Sequence, residues 1–215
     1  MTEPSDPTPG RWTAWHGAYA DPGSDLSQRL AAVRRRLRSD VEGRAGTVRL
    51  LSLCAGQADD VVGAFAGHPR ARDLVGRLVE LDPHNAEVAR SRVDAAPLPG
   101  LTVVTGDAST TDAAAGAVPA DVVLLCGIFG NVPDEDVHRT AAHATMSCAR
   151  GATLLWTRHR RDPDLTPAIR GWFADAGFEE VGFDTGGPER WSVGTVRLVG
   201  EPLPFEPGVR LFTFR

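Results

Sequence analysis

Five short stretches of the 215-residue chain carry side chains that could do chemistry. Cys54-Ala55-Gly56 is a run of small residues after an apolar segment, and small residues let a ligand approach the backbone. Glu80 lies in Leu-Val-Glu-Leu-Asp-Pro, a carboxylate beside an apolar Leu81. Gly106-Asp107-Ala108 sets a second carboxylate in a turn. Cys126-Gly127-Ile128-Phe129-Gly130-Asn131 is a loop of mostly small residues. Arg158-His159 offers a guanidinium suited to a carboxylate or phosphate, and an imidazole that titrates near neutral pH. Carboxylates and free backbone N–H groups suit a nucleotide-like cofactor, and the imidazole suits proton transfer.

What positions them is an alternation of strands and helices. Val48 to Leu53 is short, apolar and β-prone, and Gln57 to Gly67 reads as a helix with Val61, Val62 and Phe65 on one side. A strand near Arg77 to Leu81 follows, then a helix capped by Asp82 with Pro83 in its first turn, running to about Ala95. Leu101 to Thr105 is a third strand and Val122 to Cys126 a fourth, the latter a continuous apolar run typical of a central parallel strand. A helix is expected from Pro133 to about Arg150, a strand from Ala152 to Thr157 and a helix from Leu165 to Ala176. Phe178 to Asp184 and Trp191 to Val199 read as an antiparallel pair, and Val209 to Phe214 as one more short strand. Such alternation means a doubly wound, mostly parallel sheet with helices on both faces, and ligands of such sheets sit at the carboxyl ends of the strands. All five stretches lie at those ends.

Ahead of this core, residues 1–10 are polar and Pro-rich and read as a disordered leader. Residues 11–40 read as a helical cap. Trp12, Trp15, His16 and Tyr19 recur at helical spacing, either anchoring a helix on the core or forming a lid with His16 or Tyr19 reaching into a pocket. Ser24 caps a second helix, Asp25 to about Asp40, with Leu26, Leu30, Val33 and Leu37 as its apolar stripe. Arg34, Arg35, Arg36 and Arg38 read as its solvated face. Residues 41–215 form the main domain.

Composition bounds the function. The formal charge is −5, which gives no global attraction to nucleic acid or to an anionic membrane. No apolar run reaches the length of a membrane span, and the N-terminus lacks the basic and apolar regions of a signal peptide. The three cysteines form no Cys-x-x-Cys, so buried thiols in a reducing cytoplasm are expected. His, Cys, Asp and Glu are not set at metal-ligand spacing. Every basic residue is Arg, and with abundant Ala, Gly and Pro this points to a GC-rich, bacterial genome.

From Thr47 to Val199 the chain resembles the class I S-adenosylmethionine-dependent methyltransferases. Leu-Ser-Leu-Cys-Ala-Gly stands where that family has its first glycine-rich motif, although Ser52 replaces its usual acidic residue and Cys54 and Ala58 replace glycines. Glu80 matches the acidic residue that accepts from the ribose hydroxyls. Gly106-Asp107-Ala108 matches the adenine-contacting turn, Ala120-Asp121-Val-Val-Leu-Leu the fourth strand, and Gly-Phe-Glu-Glu-Val with Trp-Ser-Val-Gly-Thr-Val-Arg-Leu-Val the final antiparallel hairpin. Leu-Cys-Ala-Gly, Cys-Gly-Ile-Phe-Gly-Asn and Trp-Thr-Arg-His-Arg also resemble segments of an actinobacterial methyltransferase group.

The resemblance implies a seven-stranded sheet with an antiparallel final strand and S-adenosylmethionine as cofactor. Its expected contacts are Cys54, Ala55, Gly56, Asp59, Glu80, Leu81, Asp107, Ala108, Cys126 and Gly127. The acceptor is expected to be a small molecule, methylated on O or N in bacterial specialised metabolism, and anionic if Arg158 points inward. His159 is the preferred base, with Asn131, Arg158, His16 and Tyr19 around the acceptor. His159 could instead be solvated in its Arg run, and Asn131 could simply cap the helix after it. A nicotinamide-dependent oxidoreductase, a non-catalytic binding protein on this scaffold and an RNA methyltransferase are the alternatives, and a homodimer stays open.

Overall fold

The structure is a computed structural model, and it describes residues 21, 23–186 and 190–215. The leader, His16 and Tyr19 lie outside the described residues. The described elements are α1 (Asp25–Glu42), β1 (Val48–Leu53), α2 (Asp59–Phe65), β2 (Leu74–Glu80), α3 (Pro83–Ala95), β3 (Gly100–Thr105) and β4 (Ala120–Leu125). They continue with α4 (Asp134–His143), β5 (Cys148–His159), α5 (Thr166–Asp175), β6 (Phe178–Thr185) and β7 (Trp191–Leu198).

The seven strands form one sheet in the order β3-β2-β1-β4-β5-β7-β6. β3, β2, β1, β4 and β5 run parallel, and β7 is antiparallel to both β5 and β6. The doubly wound dinucleotide fold is instead 3-2-1-4-5-6. Here β7 inserts between β5 and β6 with the opposite direction, as the expected final hairpin requires. The chain reverses its winding between β1 and β4, which opens a cleft outside the carboxyl ends of those strands.

Two apolar layers cover the sheet. α1, α2 and α3 pack on one face through Val33, Leu37, Val61, Phe65, Ala86 and Ala89. α4, α5 and the tail cover the other through Val137, Ile169, Phe173 and Phe212, against Leu125, Leu154 and Trp156. Cys126 packs on the first layer and Cys54 on the second, so the two thiols face opposite sides of the sheet.

α1 begins as expected, with Ser24 Oγ accepting the Ser27 N–H at 3.1 Å. Its arginine run is only in part a solvated face: Arg35 and Arg38 are exposed, yet the run is also engaged by the protein. Arg34 donates to the Asp59 carbonyl, Arg38 to the carbonyls of Gly63 and Ala64, and Arg36 pairs with Asp184 of β6 at 2.6 Å. α1 is thereby stapled to α2 and to the far hairpin. A lone helix face of cations looks solvated because its partners lie far away in sequence.

Several boundaries move. α2 is shorter than expected, β2 begins three residues earlier, and the final tail forms only an isolated bridge, Thr110 with Arg210. The largest change is the helix expected to reach Arg150. It ends at His143, a 3₁₀ turn covers Ala144–Ser147, and Cys148 already belongs to β5. Ala144 to Ser147 are all buried, and no Gly or Pro marks the break, so a buried strand start reads like a buried helix end.

The tail straps one end of the molecule. Val209 and Leu211 pair with Thr111 and Ser109, Thr111 Oγ1 donates to the Glu206 carbonyl at 2.6 Å, and Arg210 donates to Ser109 Oγ at 2.8 Å. Beyond Phe212, the Thr213 N–H reaches Asp136 at 2.7 Å and the Arg215 N–H reaches the Asn131 carbonyl at 3.0 Å.

Candidate active site

The turn after β1 is the centre of the site. The Ala55 N–H donates to the Val79 carbonyl at 2.8 Å, which holds the end of β1 against β2. Cys54, Gly56 and Ala58 are all left-handed, with φ of 58°, 55° and 60°. Glycine adopts this geometry freely, whereas a residue with a Cβ is strained there. Cys54 and Ala58 therefore keep a glycine-type turn without its glycines.

Glu80 lies across from this turn. One carboxylate oxygen accepts the Gly56 N–H at 2.8 Å and the other the Asp82 N–H at 2.9 Å. Burial pushes its pKa up, and those N–H groups oppose the shift. The Gly106 N–H donates to the Glu80 carbonyl at 2.9 Å, which brings the next turn alongside. There Asp107 is exposed and accepts the Ser109 N–H at 2.8 Å, while Ala108 is buried. Glu80 and Asp107 both add to the burial that raises the Cys54 thiol far above its usual pKa, so the ends of β1, β2 and β3 converge. Leu81 is 53% exposed, an open aliphatic surface beside Glu80.

Asp59 pairs through its carboxylate with Arg92 of α3 at 2.8 Å. Its neighbour Asp60 was not singled out by the sequence. Burial raises the Asp60 pKa to about 6, with Asp59 adding to the shift and backbone N–H groups and Arg34 opposing it. Asp60 in turn adds to the burial that raises the Cys126 thiol. The carboxylate therefore belongs near the ends of β1 and β4.

The loop after β4 is closed from within. The Gly127 N–H donates to Thr157 Oγ1 at 2.8 Å, and Asn131 Nδ2 donates to the Gly127 carbonyl at 2.8 Å. Asn131 thus closes its own loop and does not cap α4, whose N-cap is Pro133. Arg158 is engaged by groups of the protein itself. Its side chain is 9% exposed, donates to the Phe129 carbonyl and lies 3.5 Å from Asp134. Burial lowers its pKa, and its Nε has no partner.

His159 remains at the mouth. It is paired across the sheet with Trp191, and a Cβ on Gly130 would stand 3.6 Å from its Cδ2. Burial, then Arg158 and Arg161, lower its pKa, which keeps the imidazole neutral at pH 7. The Arg161 N–H approaches Nδ1 at 3.4 Å, too long to fix the tautomer.

No protein-family model and no curated protein sequence matches this chain. Solved structures do. An O-methyltransferase family protein from Burkholderia thailandensis superposes with a TM-score of 0.66 at 21% identity, over 89% of this chain and 60% of that one. The magnesium protoporphyrin IX methyltransferase ChlM from Synechocystis PCC 6803, solved with SAM bound, gives 0.63 at 13% identity, over 86% and 90%. The CurJ carbon methyltransferase gives 0.64 at 13%, over 87% and 58%. The chain therefore spans about 60% of the length of two of these three proteins. Its fold is that of the class I S-adenosylmethionine-dependent methyltransferases.

Proposed function

We propose that the protein transfers a methyl group from S-adenosylmethionine to an O or N atom of a small molecule. The observation that carries this is the convergence of the 54–58 turn, Glu80 and Asp107 at three adjacent strand ends of this particular sheet.

The residues present fit the cofactor. Each Glu80 oxygen accepts one backbone N–H and keeps a second lone pair for a ribose hydroxyl. Leu81 offers an aliphatic surface to a purine, and Asp107 can accept from an exocyclic amine. Bound there, the cofactor supplies an electrophilic methyl group on sulfur.

The protein's share is position and proton handling. An in-line displacement needs the acceptor atom held opposite the sulfur, and the loop Gly127–Asn131 is closed tightly enough to present a fixed wall. His159, neutral and beside Gly130, takes the acceptor's proton at a ring nitrogen. Arg158 is held through Nη1 and Nη2 by Phe129 and Asp134, and its Nε is the donor left for an anionic group on the acceptor.

Calorimetric titration with S-adenosylhomocysteine, with NAD and NADP as controls, tests the reading. Micromolar binding of S-adenosylhomocysteine alone is expected, and binding of a nicotinamide cofactor alone would overturn it. Ser52, Cys54 and Ala58, all departures from the family's first motif, favour a second reading, a non-catalytic protein on this scaffold. Failure of folded, ligand-free protein to bind any of the three would support that second reading.

A further inference from the structure

The turn after β1 contains both a strain and its restraint. Ala58 is left-handed although it carries a Cβ, and such a conformation persists only where the surroundings enforce it. The residues on either side of Ala58 are gripped from two helices. Arg92 of α3 donates to the Gln57 carbonyl at 3.1 Å and pairs with the Asp59 carboxylate at 2.8 Å. Arg34 of α1 donates through Nε and Nη2 to the Asp59 carbonyl, at 2.9 and 2.6 Å. Gln57 Nε2 also donates to Asn85 Oδ1 of α3 at 3.1 Å. Room for Arg34 comes from Gly63, where any Cβ would overlap the guanidinium. Arg92 reaches both of its acceptors through one nitrogen, Nη1, and Arg34 brings two nitrogens to a single carbonyl.

We infer that Arg92 and Arg34 are positioning residues for the cofactor turn: by clamping Gln57 and Asp59 they hold Ala58 in the geometry that a glycine there would adopt unaided. The inference rests on the proposal that this turn seats the cofactor. Both arginines act through the backbone of residues 57–59.

A double-mutant cycle of Arg92→Met and Ala58→Gly tests this, read by S-adenosylhomocysteine affinity and by Tm without ligand. Ala58→Gly alone is expected to raise Tm by about 2–4 °C, because glycine relieves the strain, and its own affinity is the reference for the second leg of the cycle. Arg92→Met alone should lower affinity about tenfold. In the Ala58→Gly background the same change should cost less than about threefold, since the turn no longer needs the clamp. Equal losses in both backgrounds would overturn the inference, since they would make Arg92 an ordinary structural residue. If the wild type binds no S-adenosylhomocysteine, the cofactor proposal fails by itself. Tm then decides alone: non-additive changes support the clamp, and additive changes overturn it. Should Arg92→Met not fold, Arg92→Gln replaces it, a polar side chain too short to reach both acceptors.

Discussion

Glu80, the last residue of β2, accepts the Gly56 N–H at 2.8 Å, which fastens it to the turn that leaves the adjacent β1. One side chain therefore shapes the turn and presents oxygens to whatever lies on it. Glu80→Ala should weaken S-adenosylhomocysteine binding by about 1.5–3 kcal/mol, the worth of charge-assisted hydrogen bonds. Calorimetry checks this, and wild-type affinity in the variant would remove Glu80 from the cofactor site.

Asp60 should make the fold pH-sensitive. Its folded-state pKa is raised to about 6 by burial, above the ordinary carboxylate value. Between about pH 4 and 6 the native state thus holds a proton that the unfolded chain releases, so this group's contribution to stability falls as pH rises through that window. Arg34, Asp59 and Cys126 are the ionisable groups around it. Asp60→Asn should raise Tm at pH 7 by the equivalent of about 1–2 kcal/mol, allowing for partial exposure, and leave Tm at pH 4 unchanged. Thermal melts across that range decide it; a constant offset at all pH values would refute the assignment.

His159→Ala should leave S-adenosylhomocysteine affinity intact and slow methyl transfer by about 10²–10⁴ with any acceptor that turns over. Its lowered pKa keeps the base form present through neutral pH, so wild-type kcat should fall only in acid. Unchanged turnover in the variant would return His159 to the surface.

Arg158→Ala should act on stability. It leaves the buried Phe129 carbonyl without its donor, a loss of about 2–3 kcal/mol and a Tm drop of about 5–10 °C. Cofactor affinity should be unaffected. A large loss of acceptor affinity at unchanged Tm would instead restore Arg158 to the acceptor site.

Much of this was legible in the sequence because strand ends are marked by chemistry. A buried parallel strand is mostly apolar, so Glu80, Asp107 and Cys126 mark where the apolar runs stop. The direction of a side chain just past such an end is less legible. Arg158 and His159 are adjacent, yet one is packed under Phe129 and the other lies against Gly130. Partners distant in sequence are less legible still. Nothing local to Arg34 or Arg92 announces Asp59. One signal was present: Gly63 inside a helix and Gly182 inside a strand mark places where another chain segment comes close, and both accommodate an arginine of α1.

The strap of residues 206–215 has a consequence for how the protein is made. The segment that carries Asp107 is tied down by contacts spanning 95 and 101 residues, from Thr111 to Glu206 and from Ser109 to Arg210. At ordinary translation rates of about 5–20 residues per second, that segment leaves the ribosome roughly 5–20 seconds before the residues that fasten it. During synthesis the turn that carries Asp107 is thus fastened late, only once residue 210 has emerged.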